Sequence, residues 1–332
     1  MDVPERSRWR GALAPVCVGI VIAFFFVWLF AAALHNPTPH DLPVGFVGPA
    51  AAQQQVLAGA EAHSPGVFSF STYASEDEAR AAILDREIAG ALVLGLGKAS
   101  VLVASAGGQP AATMISAAFT AMVTASGQPG LSATVEDVQP LPASDSRGLV
   151  EFFLVMGVSI SAFVFALLLR PQRSRLPLLG KIGLLLAFAI AAGLVASLAV
   201  SIVVGFNTTF WSVAGVCALL ALAVAAGSDA FMALFGRPGV GVAGLVLLLL
   251  GNASSGSVVG SAFLSQPFRW LSPGLPGGPA LDSVRSVLYF DGAGAAWWLG
   301  TLAIWAAVSL VVVGCAHVCT RLWQARQARA TA

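Results

Sequence analysis

The sequence predicts a polytopic α-helical membrane protein with six transmembrane helices and a small α/β extracytoplasmic domain between helices 1 and 2. Only 10% of the 332 residues are charged and 57% are hydrophobic, whereas a soluble domain usually carries about 25% charged residues. Six apolar windows reach the roughly 20 residues that a helix needs to cross a bilayer. Between the first two windows, the apolar pattern gives way to short strand and helix patterns.

The apolar windows are almost free of charge. They contain two of the 33 charged side chains, Glu151 at the start of the second window and Asp229 inside the fourth. The predicted spans are residues 11–34, 149–169, 182–205, 210–235, 240–264 and 296–318. The last five make a transmembrane domain at 149–319, with a cytoplasmic N-terminus at 1–10 and a cytoplasmic tail at 320–332.

The basic residues predict the orientation, because cytoplasmic segments of membrane proteins are enriched in Lys and Arg. With a cytoplasmic N-terminus, the inner segments hold 11 of the 17 basic residues but only Asp2 and Glu5 as acidic residues. The outer domain, residues 35–148, holds four basic and ten acidic residues, a net charge of −6. The inner basic residues are Arg6, Arg8, Arg10, Arg170, Arg173, Arg175, Lys181, Arg237, Arg321, Arg326 and Arg329. Both termini are therefore expected in the cytoplasm.

The first window has two interpretations. Its apolar stretch is longer than the roughly 7–15 residues of a signal-peptide core, which favours an uncleaved anchor. Cleavage near the small residues 31–33 would instead leave five spans. All four cysteines lie in the spans or at the end of the last one, so the outer domain has no disulfide framework. This pattern fits a bacterial plasma membrane.

Residues 35–148 are predicted to form the α/β domain. The strand candidates are residues 44–47, 67–70, 91–94, 100–104 and 134–138. The helix candidates are residues 50–62, 76–88 and 111–125. The order β-α-β-α-β-β-α-β is typical of a small mixed sheet with helices packed on it. Turn-forming residues mark 37–43 and 139–147 as the linkers to the first two spans.

The chain offers no constellation that predicts an enzyme. Residues 95–100 resemble a phosphate-binding loop, but Leu92 and Ala99 occupy the positions where a Walker A motif needs Gly and Ser or Thr. The metal-ligand spacings of zinc sites are absent, and no Ser-His-Asp arrangement can be assembled. The basic residues only flank spans, which argues against nucleic-acid binding. We therefore expect no catalytic residue, no metal and no cofactor.

Asp229 is one candidate functional residue. It lies on a stripe of small residues in the fourth span, so it faces another helix. A carboxylate inside a span is costly and is by default a functional hypothesis. The alternative is a structural ion pair with Arg237, about two helical turns away.

The second half of the fifth window is small and polar, with Asn252, Ser254, Ser255 and Gly256. Such a segment should avoid lipid. It can pack closely against another helix, or break locally and line a polar cavity. Both interpretations place these residues inside the bundle, where they join Asp229 as a predicted substrate path or packing surface.

Residues 266–295 are too polar to cross the membrane. Leu281, Val284 and Leu288 have helical spacing, and Pro279 suits a first helical turn. Asp282 can pair with Arg285 three residues on. These features predict a short interfacial helix on the outer side, and an ordinary loop with one helical turn is the alternative.

The layout of one span, an outer α/β domain and five further spans resembles the type-2 ABC transporter membrane permeases, in particular the YhgE/Pip-like branch. Residues 43–47 are similar to the family's first outer strand, and residues 86–94 to its Gly-Ala-Leu-Val segment. Residues 234–239, 252–256, 275–276 and 282–285 are similar to the later spans of the branch. The resemblance implies a homodimer and a separate cytoplasmic ATPase subunit. Residues 170–181 form a short basic loop where such permeases usually have a coupling helix.

The leading functional hypothesis is an exporter-type permease that contacts membrane lipid and moves or presents a hydrophobic or amphipathic substrate. A separate partner would supply the energy. The rival hypothesis is a non-transporting surface receptor or scaffold of a cell-envelope or secretion complex. A membrane enzyme is disfavoured, because no catalytic constellation is found.

Overall fold

The computed structural model describes residues 5–35, 37–95, 97–127, 131–172 and 175–330. The chain is mostly helical and includes a small α/β sheet region. Four described helices are long and apolar enough to cross a membrane, which marks the chain as a membrane protein. They cover Val150–Gln172, Leu178–Val204, Phe210–Phe235 and Ala295–Arg329.

The α/β region follows a first helix, α1, at Glu5–Leu34. Its strands are β1 Leu42–Val47, β2 Phe68–Thr72, β3 Gly90–Gly95, β4 Lys98–Val103 and β5 Ala133–Asp137. Its helices are α2 Ala50–His63, α3 Glu76–Leu84 and α4 Gln109–Ala125. Every predicted strand and helix of this region is present, in the predicted order.

The five strands form one mixed sheet in the order β2-β1-β3-β4-β5. β1 is parallel to both β2 and β3, β3 and β4 form an antiparallel hairpin, and β5 is parallel to β4. Val44 and Phe46 of β1 join Ile115 and Phe119 of α4 in a core on one face of the sheet. Ile83 of α3 packs on the other face. The sheet therefore has helices on both sides.

The second half of the chain is a helix bundle. Its helices are α5 Val150–Leu169, α6 Leu178–Val204, α7 Phe210–Phe235, α8 Gly239–Ala253, α9 Gly277–Tyr289 and α10 Ala295–Ala330. α7 is the most enclosed of the four long helices, with contacts to α5, α6 and α10. A Cβ at Gly193 of α6 would lie 2.3 Å from the Ala214 carbonyl oxygen of α7. Gly193 therefore allows a close approach of α6 and α7 that a larger residue would prevent.

The predicted fifth span, residues 240–264, is wrong in its second half. Helix α8 ends at Ala253, and its middle, Gly244–Leu250, is a π-helix, so its 15 residues extend at most about 22 Å, less than the roughly 30 Å hydrocarbon core. The Ser254 hydroxyl donates to the Leu250 carbonyl oxygen and Gly256 adopts φ +72°. A left-handed glycine ends a helix, so the small polar run breaks the span.

The α/β region and the bundle share one continuous core. Ala104 and Ala106, which follow β4, belong to the same buried cluster as Leu281 and Phe290 at α9. All residues of α9 except Asp282 and Val287 are buried. The helix predicted within 266–295 therefore exists, but it lies enclosed between the sheet region and the bundle.

Candidate functional site

Charged side chains from three separate parts of the chain meet beside α9. We call Arg86, Glu151, Asp282 and Arg285 the junction cluster. Arg86 lies in the turn after α3, Glu151 is the second residue of α5, and Asp282 and Arg285 are three residues apart on α9. Residues at that spacing share one face of a helix. The cluster thus joins the α/β region to both α5 and α9.

The strongest link of the cluster is the pair of Arg285 and Glu151. The Arg285 Nε donates to both carboxylate oxygens of Glu151, at 3.0 and 3.2 Å, and Nη2 donates to Oε1. The two side chains are 8% and 3% exposed. A charged group removed from water costs several kcal/mol unless it is paired and hydrogen-bonded. Each side chain therefore makes the burial of the other tolerable.

Arg86 connects this pair to the α/β region. Its Nη2 lies 2.8 Å from Asp282 Oδ1, and its Nη1 donates to the Asp282 carbonyl oxygen at 2.8 Å and to the Ser286 hydroxyl. Its guanidinium also lies 5.6 Å from the centre of the Phe290 ring. Burial lowers the pKa of Arg86, and Asp282 opposes that shift. The predicted contact between Asp282 and Arg285 is present at 3.9 Å, and each makes a shorter contact elsewhere.

Asp145 anchors the linker that leads into α5. Its carboxylate accepts from the backbone N–H groups of Leu149 and Val150, at 2.9 and 3.2 Å, and from the Tyr289 hydroxyl at 2.7 Å. It therefore caps the start of α5 and ties it to α9. Burial, together with the Asp145 carboxylate, raises the pKa of Tyr289. The side-chain amide of Gln139 donates to the Tyr289 carbonyl oxygen at 2.5 Å.

A cavity of about 620 Å³, lined by polar as well as apolar residues, opens beside the cluster, and we call it the junction cavity. Its walls come from the start of α4, the linker before α5, α5 itself, the segment after α8, and α9. Its polar lining residues include Ser105, Gln109, Thr113, Ser146, Arg147, Glu151, Ser257 and Arg285. Arg147 is exposed and makes no side-chain ion pair or hydrogen bond with the described residues. The cavity is large enough for a small polar ligand.

An apolar groove of about 660 Å³ runs between α5 and α6, and we call it the α5–α6 groove. It is lined along α5 from Val150 to Ser161 and along α6 from Phe188 to Val204. Ser161 is its one hydroxyl, and that hydroxyl donates to the Val158 carbonyl oxygen. The groove thus presents a continuous hydrocarbon surface. Because Leu149 lines the cavity and Val150 lines the groove, the two lie side by side at the first residues of α5.

The other predicted site residues line neither of these two features, although Ser255 lies 2.9 Å from the Ser257 hydroxyl in the cavity wall. Asp229 is 4% exposed within α7, and Arg237 is exposed; no ion pair joins them within the part of the chain that the structure describes. Asn252, Ser254, Ser255 and Gly256 are buried. A Cβ at Gly277 would lie 2.2 Å from the Gly251 carbonyl oxygen, so this run packs against the start of α9.

The sequence did not reveal the cluster as a unit. Glu151 was visible as a rare charge in an apolar window, and Arg285 as a neighbour of Asp282. Arg86, Asp145 and Tyr289 gave no local signal. Among the described residues, no group of three His, Cys, Asp or Glu side chains could hold a metal ion.

Comparison of the chain with protein-family models, with curated proteins and with solved structures gave no match.

Proposed function

We propose that the chain is an exporter-type permease that moves an amphipathic substrate from the bilayer toward the extracytoplasmic side. The observation that carries this proposal is the position of the α5–α6 groove directly beside the junction cavity. A hydrocarbon tail from the bilayer can enter an apolar groove without losing hydrogen bonds, whereas a polar group there would lose its hydrogen bonds. The neighbouring cavity offers that polar group hydroxyl, amide and guanidinium partners.

The proposal includes six spans with both termini in the cytoplasm of a bacterial plasma membrane. The four long helices supply four spans, and α1 and α8 supply the others. The short α8 fits this arrangement because its last residue, Ala253, shares a buried cluster with α1 and with the segment that follows α8; the other members are Leu29, Ala33, Leu264 and Phe268. Irregular backbone is tolerated at membrane depth when protein covers it. The sheet region then lies outside, as its acidic composition favours.

A homodimer with a separate cytoplasmic ATPase is part of the proposal. The connection between α5 and α6 is short, because α5 ends at Leu169 and α6 begins at Leu178. The surface for a cytoplasmic partner is therefore expected elsewhere, at the end of α10. The 36 residues of α10 extend about 54 Å, well beyond the roughly 30 Å hydrocarbon core. Its last turns carry Arg321 and Arg326, both exposed. This basic extension offers an energising partner a surface on the cytoplasmic side.

A receptor or scaffold is the second candidate function. It is favoured by the junction cluster, which fixes the α/β region to α5 and α9 through buried ion pairs. A ligand bound by the α/β region would act on the bundle through that connection. This function does not need the α5–α6 groove.

The test compares two glycine variants in cells that lack the wild-type chain. Gly157 lines the groove, and a Cβ there meets no atom within 4 Å. Gly157→Leu should therefore fill the groove without a clash. Gly183→Leu on α6 is the matched control, since a Cβ there also meets nothing and Gly183 lines neither the groove nor the cavity.

The measurement is untargeted mass spectrometry of amphiphiles in the outer leaflet and medium, at equal amounts of membrane-inserted protein. We expect the wild type and Gly183→Leu to export a species that the empty cells and Gly157→Leu retain. Identical amphiphile profiles in all four strains would contradict the permease proposal. Envelope proteins captured equally by all three chains would then favour the scaffold.

A further inference from the structure

We propose that the junction cavity binds the anionic head group, a phosphate or carboxylate, of an amphiphile whose tail lies in the α5–α6 groove. Arg147 is the residue that recognises the charge. This inference rests on the proposed function and specifies its substrate class. It follows from the charges of the cavity wall, the helix that opens onto it, and the dimensions of the groove.

The charged residues that line the cavity favour an anion. They are Arg147, Arg285 and Glu151, which together leave one net positive charge. Arg285 is engaged by Glu151, so its charge is largely cancelled. Arg147 has no such partner among the described residues. An exposed guanidinium presents a fork of N–H donors that matches phosphate and carboxylate oxygens.

The start of α4 adds to the same potential. Gly108, Gln109 and Pro110 line the cavity at the first turn of this helix. No side chain caps that turn and it holds no acidic residue, whereas α3 is capped by Ser75 and has three acidic residues in its first turn. The positive end of the α4 dipole therefore adds to the charge of Arg147.

The length and the apolar lining of the groove indicate that the anion is the head group of an amphiphile. Along α5 it runs from Val150 to Ser161, about 16 Å. This length is close to half of the roughly 30 Å hydrocarbon core, the depth of one lipid leaflet. A tail of that length would begin beside Leu149, where the cavity begins. A soluble anion would use the cavity alone and gain nothing from the groove.

The experiment measures lipid binding to the purified full-length chain in detergent by native mass spectrometry. Phosphatidylglycerol and diacylglycerol, which lacks the phosphate, are the two probes with identical acyl chains, and inorganic phosphate is a soluble competitor. The variants are Arg147→Gln, Gly157→Leu and the control Lys98→Gln. Lys98 is an exposed cation of β4 that does not line the cavity.

We expect wild-type and Lys98→Gln chains to bind phosphatidylglycerol about tenfold more tightly than diacylglycerol, as one charge-assisted contact allows. Arg147→Gln should abolish the preference and keep the weaker binding of both lipids. Gly157→Leu should weaken both lipids and keep the preference. Thermal unfolding identical to wild type establishes that the exposed Arg147→Gln substitution leaves the fold intact.

Each contrary result has its own meaning. If both lipids bind equally and Gly157→Leu weakens both, the proposal of an anionic head group would be wrong. The proposal of an amphipathic substrate would remain. A preference that survives Arg147→Gln would overturn the assignment of Arg147. If inorganic phosphate displaces the lipid and binds Gly157→Leu as tightly as wild type, the ligand of the cavity would be a soluble anion. Retention of neither lipid by any chain would overturn this inference together with the proposed function.

Discussion

Two clusters in this molecule pair arginine with carboxylates, and they differ in burial. On the surface of the α/β region, Arg80 lies 3.2 Å from Glu76 and 2.7 Å from Glu136, with side chains that are 32%, 42% and 48% exposed. In the junction cluster, Arg285 and Glu151 are 8% and 3% exposed. Arg80 and Arg285 each donate three hydrogen bonds to carboxylate oxygens. The two clusters differ in how far water can reach these hydrogen bonds.

The difference sets what each cluster can do. Water and salt screen the surface cluster, so each of its groups has a good alternative partner. In the junction cluster, the Arg285 and Glu151 side chains are almost fully removed from water, so loss of one leaves the other charged and poorly solvated. The buried cluster therefore fixes the orientation of the α/β region relative to α5 and α9, while the surface cluster only supports the local fold.

The largest effect is expected for Arg285→Met. This change leaves Glu151 buried without its cation, which typically costs about 3–5 kcal/mol of unfolding free energy. Thermal and denaturant unfolding of the purified chain, followed by tryptophan fluorescence, measures the loss. The tryptophans report on the bundle, because residues 35–148 contain none.

The double variant Arg285→Met with Glu151→Leu is the control for that prediction. Removal of both charges leaves an apolar contact of similar size, which is often neutral or stabilising. We expect it to recover most of the stability that Arg285→Met loses. A double variant as unstable as the single one would mean that packing of the arginine stem, and not the charge, stabilises this junction.

A smaller effect is expected for Arg86→Gln. Asp282 would keep only the 3.9 Å contact with Arg285, and loss of a charged hydrogen-bond partner costs roughly 1–3 kcal/mol. Hydrogen–deuterium exchange should increase in the turn after α3 and in α9, with the sheet unchanged. Lys98→Gln is the matched removal of an exposed cation and should leave exchange as in wild type. Faster exchange throughout the sheet would show that Arg86 supports the α/β fold itself.

The sequence predicted the α/β region closely because its information is local. β1 is a short run in which every residue except Pro43 is buried, and a short apolar run bounded by turn-forming residues is consistent with a buried strand. The end of α3 was placed at residue 88 and lies at Leu84. The helix stops early because Arg86 adopts φ +62°, and in that conformation its guanidinium contacts α9. A positive φ at a residue other than glycine has no reliable local signal.

The junction cluster could be predicted only in part for the same reason. The spacing of Asp282 and Arg285 along one helix face indicated their contact. Their stronger partners lie far away in sequence, Glu151 at 134 residues from Arg285 and Arg86 at 196 residues from Asp282. No periodicity encodes such contacts. The packing of Gly277 against Gly251 beside the broken fifth span was not visible for the same reason, since the two residues are far apart in sequence.

Arg80→Gln should have a small effect on stability. Exposed ion pairs contribute about 0.2–1 kcal/mol, so we expect a loss within that range. Local hydrogen exchange in α3 and β5 measures it, since Arg80 and Glu136 connect those two elements. The difference from wild type should shrink at high salt, which screens surface charges. An effect as large as that of Arg285→Met would show that exposure does not separate the two clusters.

The smallest effect is the pH dependence of the surface cluster. The hydrogen bond from Arg80 holds the pKa of Glu136 below its usual value of 4.5. A depressed carboxyl pKa stabilises the fold above the unfolded-state pKa, and that stability is lost as pH falls through the folded-state pKa. The exchange difference between wild type and Arg80→Gln should therefore be constant near neutral pH and should decline below about pH 4.5. The control repeats the comparison without the Glu136 carboxyl group, between Glu136→Gln and the double variant Arg80→Gln, Glu136→Gln. The exchange difference between these two variants should not show that decline, because a glutamine side chain cannot titrate. A difference that persists unchanged at pH 3 would mean that Arg80 acts through packing of its stem against β5.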